Sequence, residues 1–182
     1  MPIHTVATAF YTPERFVNDL CIREASADDA AAIARIYNQG IEDQATLETA
    51  HRSGDERRHW LAARGPRHPV IVAVRSATND VVGWASLNQF NPRAAYDNVA
   101  DISVYVAREA RGSGVGGRLL PELEQLARRV GYHKLVLAGF PWNTAGMRLY
   151  ERCGFEFVGT YHEQGLLDGK WVDVILMEKV LR

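Results

Sequence analysis

The chain has 182 residues, 47% of them hydrophobic and 24% charged, with a formal net charge of −1. That length suits one domain with one sizeable core, and the balanced charge argues against nucleic acid or an anionic membrane as the main partner. No apolar run approaches the roughly 20 residues that span a bilayer, and the N-terminus has neither the basic start nor the apolar core of a signal peptide, so a cytoplasmic location is expected.

Residues 1–19 carry Pro2 and Pro13 without a clear period and read as an N-terminal extension to a single domain over 20–182. A strand begins at 21–24. Ser26 is a good N-cap, and Asp29 puts charge in the first turn of a helix whose apolar face is Ala30, Ile33, Ala34 and Tyr37. Gly40 is expected to stop that helix. Ser53 with Glu56 forms a capping box for a second helix through Trp60 and Leu61, with the run Glu56-Arg57-Arg58-His59 as its solvated face. Pro69 precedes a strand at 70–75, Thr78-Asn79-Asp80 supplies a turn, and 81–90 returns. After the loop Asn91-Pro92-Arg93 come a strand at 97–107, a helix at 114–130 and a strand at 134–139. Asn143 caps a helix ending at Gly154. Strands at 157–166 and 171–180 close the chain around Asp168-Gly169-Lys170.

The order β-α-α-β-β-β-α-β-α-β-β joins hairpin-linked strands to one crossover helix between two strands that should run parallel. It predicts an α+β (mixed α/β) domain. Cys21 and Cys153 form neither a disulfide scaffold nor a metal framework, and each is expected as a buried free thiol. His51, His59, His68, His133 and His162 show no ligand spacing, so no metal site is expected. Trp142 and Trp171 have two readings, the wall of a pocket or dimer contact and core packing, and core packing is preferred.

The stretch 101–118, DISVYVAREARGSGVGGR, carries the chemistry. Ile102, Val104 and Val106 alternate as a strand, and Leu119, Leu120, Leu123, Leu126 and Val130 follow at helical spacing. Between them lie Gly112, Gly114, Gly116 and Gly117. A strand, a glycine loop and a helix point backbone N–H groups and the positive helix end at an anion. Arg111 and Arg118 add positive charge, and a pyrophosphate is the expected ligand. Gly112, Gly114 and Gly117 match the dinucleotide pattern G-x-G-x-x-G. That pattern also needs an acid about 20 residues on, whereas the next strand ends in Gly139-Phe140-Pro141.

The pattern Arg111-x-x-Gly114-x-Gly116 instead resembles the coenzyme A pyrophosphate loop of the GNAT acetyltransferase superfamily. The resemblance covers residues 20–181 and includes 143–155, NTAGMRLYERCGF, which is similar to that superfamily's second cofactor element. The stretches 93–106 (RAAYDNVADISVYV) and 167–174 (LDGKWVDV) resemble the phosphinothricin and methionine sulfoximine N-acetyltransferases, a group that also holds arsinothricin N-acetyltransferases. The resemblance implies a GNAT-like fold, its sheet mostly antiparallel with flanking helices. One parallel pair, 102–106 and 135–139, would splay apart to admit the cofactor arm.

It further implies acetyl-CoA as co-substrate, held by Arg111, Gly112, Ser113, Gly114, Val115, Gly116 and Gly117. The backbone of Val104, Tyr105 and Val106 and the side chain of Asn143 would take the pantetheine arm. Asp101 is the candidate base. The family usually has Glu there, and the shorter acid leaves two modes of contact open, direct or through water; its other reading is a strand cap or an arginine partner. Tyr150 is the candidate acid for the leaving thiolate, or else a core tyrosine beside Met147 and Cys153. Arg93, Ala94, Ala95 and Tyr96 would line the acceptor pocket, with Arg93 suited to a carboxylate or phosphinate-like oxyanion. The implied reaction is direct acetyl transfer to the α-amino group of a small amino acid or glutamate-like antimetabolite, by a homodimer. Three rival readings are an enzyme acting on protein N-termini or lysines, a non-catalytic acyl-CoA binding module, and a dinucleotide enzyme.

Overall fold

In the computed structural model of the chain, residues 19–182 are described. The extension assigned to 1–19 therefore lies, except for Asp19, outside the described residues. Strands β1 (Leu20–Glu24), β2 (Val70–Arg75), β3 (Val81–Gln89), β4 (Val99–Val106), β5 (Lys134–Gly139), β6 (Glu156–Leu167) and β7 (Lys170–Val180) form one sheet in the order β1-β2-β3-β4-β5-β7-β6. Helices α1 (Ala30–Glu42) and α2 (Gly54–Ala62) precede β2, α3 (Val115–Arg129) crosses from β4 to β5, and α4 (Thr144–Arg152) follows β5. Every neighbouring pair of strands is antiparallel except β4 and β5. The expected α+β architecture and element order are present. Among the described residues, no helix is long and apolar enough to cross a membrane.

The middle of the sheet is buried on both faces. In β3, Val81 through Leu87 are all buried. Helix α3 covers one face with Val115, Leu119, Leu120 and Leu123, each at most 1% exposed. Burying a leucine side chain is worth about 2 kcal/mol, so this stripe fastens the crossover helix to the sheet. Gly83 lets α3 come close, since a Cβ there would lie 2.9 Å from Val115 Cγ1. On the other face, Trp84 packs with Tyr37 of α1 and Trp60 of α2.

Several expectations change. Gly40 does not end α1, which runs on to Glu42. The glycine instead makes room for an aromatic ring: a Cβ at position 40 would lie 2.8 Å from Tyr105 Cε1. Arg57 is buried rather than solvated, its guanidinium 4.0 Å over the Tyr37 ring and 5.0 Å from that of Trp60. The rings supply the cation with a favourable electrostatic surface in place of water. Cys21 is exposed, because β1 is an edge strand and its side chain lies away from the core, while Cys153 is half-buried. Trp142 and Trp171 are exposed as well, at 44% and 62%. Trp171 lies on the β6–β7 hairpin; Trp142 stacks on Phe140 and donates Nε1–H to the Gln44 carbonyl at 3.0 Å.

The Tyr105 ring stacks on Trp84 at 4.8 Å and meets Tyr37 edge-on at 5.1 Å, so it has little freedom to retreat. Gly40→Val should therefore cost about 1–3 kcal/mol by overpacking, measured as a lower denaturation midpoint with an unchanged m-value.

Candidate active site

The parallel pairing of β4 and β5 lasts for three positions only, Val99 with Lys134, Ala100 with Leu135 and Asp101 with Val136. Beyond Asp101, β4 stays paired with β3 up to Val106, and β5 stays paired with β7 up to Gly139. The two strands thus turn unpaired edges towards each other, and the stretch holding Val104, Tyr105 and Val106 forms one edge of this split. Unpaired backbone groups demand partners. Asp101 sits at the last paired position, the fork of the split.

Beside the split, the loop after β4 leads into α3. Gly112 and Gly114 adopt left-handed φ values of +73° and +88°, a conformation that costs glycine little. Gly114 is the N-cap residue of α3 and has no side chain to cap it. The first N–H groups of α3, on Val115, Gly116 and Gly117, lack helical partners by geometry. An added Cβ would meet nothing within 4 Å at Gly112 or Gly117, so the backbone is open to a ligand there. At Gly116 it would lie 2.7 Å from Leu149 Cδ2, which brings α4 against the first turn of α3. These features fit a pyrophosphate. Ser113 Oγ donates to the Ala110 carbonyl at 2.6 Å and tightens the turn. Asn143 Oδ1 accepts from Gly146 N at 3.1 Å and caps α4.

The arginines near this loop are braced. Arg111 donates to Asp43 Oδ2 at 2.6 Å and to the Val106 carbonyl at 3.2 Å. Arg108 bonds Asp43 at 2.8 Å and Glu42 at 2.9 Å. Hydrogen bonds from Arg108 and then Arg111 hold the Asp43 carboxyl below the usual carboxylate range. Arg118 donates to the Leu20 carbonyl at 3.4 Å.

Across the sheet, Asn88, Ser86 and Trp84 of β3 stand opposite Asp101, Ser103 and Tyr105 of β4. These alternate positions share the α1–α2 face. Burial pushes the Asp101 carboxyl up to about 6, opposed by a hydrogen bond from Asn88. Burial pushes the Tyr150 hydroxyl up to about 12, with the charge of Asp101 contributing. The tyrosine is therefore a neutral proton donor close enough to Asp101 to feel its charge. Burial also raises Tyr105 above the ordinary phenol value. Arg93, Ala94, Ala95 and Tyr96 lie in an exposed loop at this end of the β3–β4 hairpin, where Tyr96 packs edge-on against Phe90 at 5.5 Å. Sequence reasoning did not single out Asn88, Ser103 or Arg64. The period-two run of polar positions, Ser86 and Asn88 in an apolar strand, was the available signal.

Ionising Asp101 is harder in the fold than in the unfolded chain. Its charged form is thus a net cost to stability above about pH 6, and the cost vanishes below the ordinary carboxylate value of 3.8, where both states are protonated. Asp101→Asn should raise the melting temperature at pH 8 by roughly 2–4 °C for each kcal/mol regained, with a smaller gain at pH 4. Scanning calorimetry at both pH values checks this.

The family model for the acetyltransferase (GNAT) family matches residues 32–155. An L-methionine sulfoximine/L-methionine sulfone acetyltransferase from Pseudomonas paraeruginosa is 33% identical over 160 residues, covering 86% of this chain and 92% of that protein. A GNAT superfamily phosphinothricin acetyltransferase from Sinorhizobium meliloti, solved in complex with AcCoA, superposes with a TM-score of 0.83 at 28% identity over 90% of this chain and 89% of that one. A ribosomal-protein-alanine N-acetyltransferase from Brucella melitensis gives 0.84 at 36% identity over 88% and 99%. With the half-paired strands and the glycine cradle, these matches make the chain a member of the GNAT acetyltransferase family and an acetyl-CoA-dependent N-acetyltransferase.

Proposed function

We propose that the enzyme acetylates the α-amino group of a small amino acid or a glutamate-like antimetabolite of the phosphinothricin, methionine sulfoximine or arsinothricin type. The observation that carries the reading is the Asp101 carboxyl at the fork of the split, raised towards neutrality by burial and within electrostatic reach of a protonated phenol. A general base works best when its pKa lies near the working pH. The small acceptor is supported by relatives named for methionine sulfoximine and phosphinothricin.

In this reading, the loop amides of Gly112 to Gly117 and the start of α3 hold the pyrophosphate, with Arg111 bracing the loop. The edge of β4 at Val104, Tyr105 and Val106 holds the pantetheine arm as one strand holds another, and Asn143 adds a contact. Acetyl-CoA supplies the activated acetyl group as a thioester. Asp101 takes the proton of the acceptor amine, directly or through one water. A β4 amide polarises the carbonyl oxygen where negative charge develops. The freed amine nitrogen bonds to the thioester carbonyl carbon, the C–S bond breaks, and Tyr150 gives its own proton to the departing sulfur. The loop from Arg93 to Tyr96 offers a guanidinium to the acceptor's acidic group.

Thiol release from acetyl-CoA against phosphinothricin, methionine sulfoximine, arsinothricin, common amino acids and peptides tests this. Saturable turnover is expected on a glutamate analogue, with Asp101→Ala losing about 10²–10⁴-fold in kcat. Turnover on peptides alone would favour a protein-modifying enzyme, the reading that the Brucella melitensis relative supports. Bound acetyl-CoA without turnover on any amine would leave a binding module.

A homodimer is part of the proposal. Leu166 and Trp171, cross-strand neighbours on the β6–β7 hairpin, are each more than half exposed, and exposed apolar side chains of that kind are common at association faces. Sedimentation should give twice the 20.3 kDa chain mass, and Trp171→Asp should shift the population to monomer.

A further inference from the structure

Asn88 stands directly opposite Asp101 in the β3–β4 register. A carboxamide offers two N–H donors and two carbonyl lone pairs, and here all four are used. Nδ2 donates to Asp101 Oδ2 at 3.3 Å and to Ser103 Oγ at 3.1 Å. Oδ1 accepts from Arg64 Nη2 at 3.0 Å and from Ser86 Oγ at 3.0 Å. Turning the amide over would aim its oxygen at a carboxylate and its N–H groups at a guanidinium, so chemistry dictates the orientation.

Arg64 is itself fixed. Its Nε donates to the His68 carbonyl at 2.6 Å, its Nη2 also donates to the Leu87 carbonyl, and its guanidinium lies 4.4 Å from the Trp60 ring. Ser86 is fully buried. The bracket therefore runs from α2 through β3 to the fork.

We infer that Asn88 is a positioning residue for acetyl transfer, holding the Asp101 carboxylate in one orientation at the fork of the split. The inference rests on the reading of Asp101 as the base. It explains how the shorter acid is kept in place: Asp101 has one fewer rotatable bond than a glutamate, and a fixed donor across the strand settles the remaining freedom. A donated N–H also favours the charged carboxylate and works against the burial around it. Tyr150 from α4 is electrostatically coupled to Asp101, Arg64 beyond α2 bonds Asn88, and Arg57 and Tyr132 act on Arg64. With pKa values near 12 and 10, Tyr150 and Arg64 do not change charge around pH 6. Burial and then Arg64 hold the His68 imidazole below its ordinary value, and the carboxyl titration read directly by NMR separates Asp101 from it.

The experiment uses the full chain as wild type, Asn88→Leu, Asn88→Ser and Asp101→Asn. It records the Asp101 side-chain ¹³C carboxyl titration by NMR and the pH profile of kcat with the best acceptor from the panel. In the Asn88 variants, the titration and the acid limb should move upward together by about one pH unit, and kcat at pH 6 should fall roughly fivefold. The KM for acetyl-CoA should hold. Asn88→Ser is the smaller, polar change and supplies the answer if Asn88→Leu fails to fold. A carboxyl titration and acid limb unchanged in the folded variants, with Asp101→Asn inactive, would overturn the role of Asn88 and leave the base in place. Wild-type kcat in Asp101→Asn would remove the base, and the positioning role with it.

Discussion

Three rungs of parallel pairing hold β4 to β5, and the site depends on there being no fourth. A complete ladder would satisfy every backbone group and close the sheet. The short one leaves two facing rows of amides and carbonyls, an incomplete sheet that a linear amide-bearing ligand can complete. The same interruption organises the proposed site. Asp101 occupies the last rung, the loop that leaves β4 reaches α3, and α4 packs back against the first turn of α3 at Gly116. Neighbouring strands hold the opening in shape, because β4 keeps β3 and β5 keeps β7 as partners along its length.

The α1–α2 face is built from polar and aromatic groups that depend on one another. Tyr105 stacks on Trp84, Tyr37 closes on Tyr105, and Arg57 lies over Tyr37. Along the same two strands, the aromatic pair gives way to Ser86 and Ser103 and then to Asn88 and Asp101. Hydrophobic packing thus ends in a hydrogen-bonded patch as β4 is followed back to the fork. Burial raises the Asp101 carboxyl while the asparagine lowers it, and the balance stands near neutrality. A more exposed carboxylate would be cheaper to ionise and weaker as a base.

Much of this was legible from residue pattern. The strands at 70–75 and 134–139 have their expected bounds, since Pro69, the turn at Asn79 and continuous apolar runs leave little choice. The glycine loop was legible because four glycines in six residues have few structural uses. Gly40 was not, because a helix stop and a close approach read alike until the distant Tyr105 is in view. Arg57 sat in a charged run that resembled a solvated face, although Trp60 one turn on was a sign of stacking. Trp142, Trp171 and Cys21 were placed in the core by residue type, which cannot tell an edge strand or a projecting hairpin from the sheet's centre. Asn88 bonds partners on β4 and beyond α2, a convergence that only the register reveals.

The bracing of Arg108 and Arg111 has an electrostatic consequence. Two guanidiniums meet two carboxylates, Glu42 and Asp43, and their formal charges cancel. For the anion proposed at this corner, the attraction left is that of oriented peptide dipoles rather than of those two cations. Dipolar hydrogen bonds at contact distance are screened by dissolved ions far less than exposed charges acting across a Debye length of about 8 Å. For the proposed pyrophosphate, such a cradle would select by shape and hydrogen-bond direction, with a grip that changes little between dilute buffer and a concentrated ionic milieu.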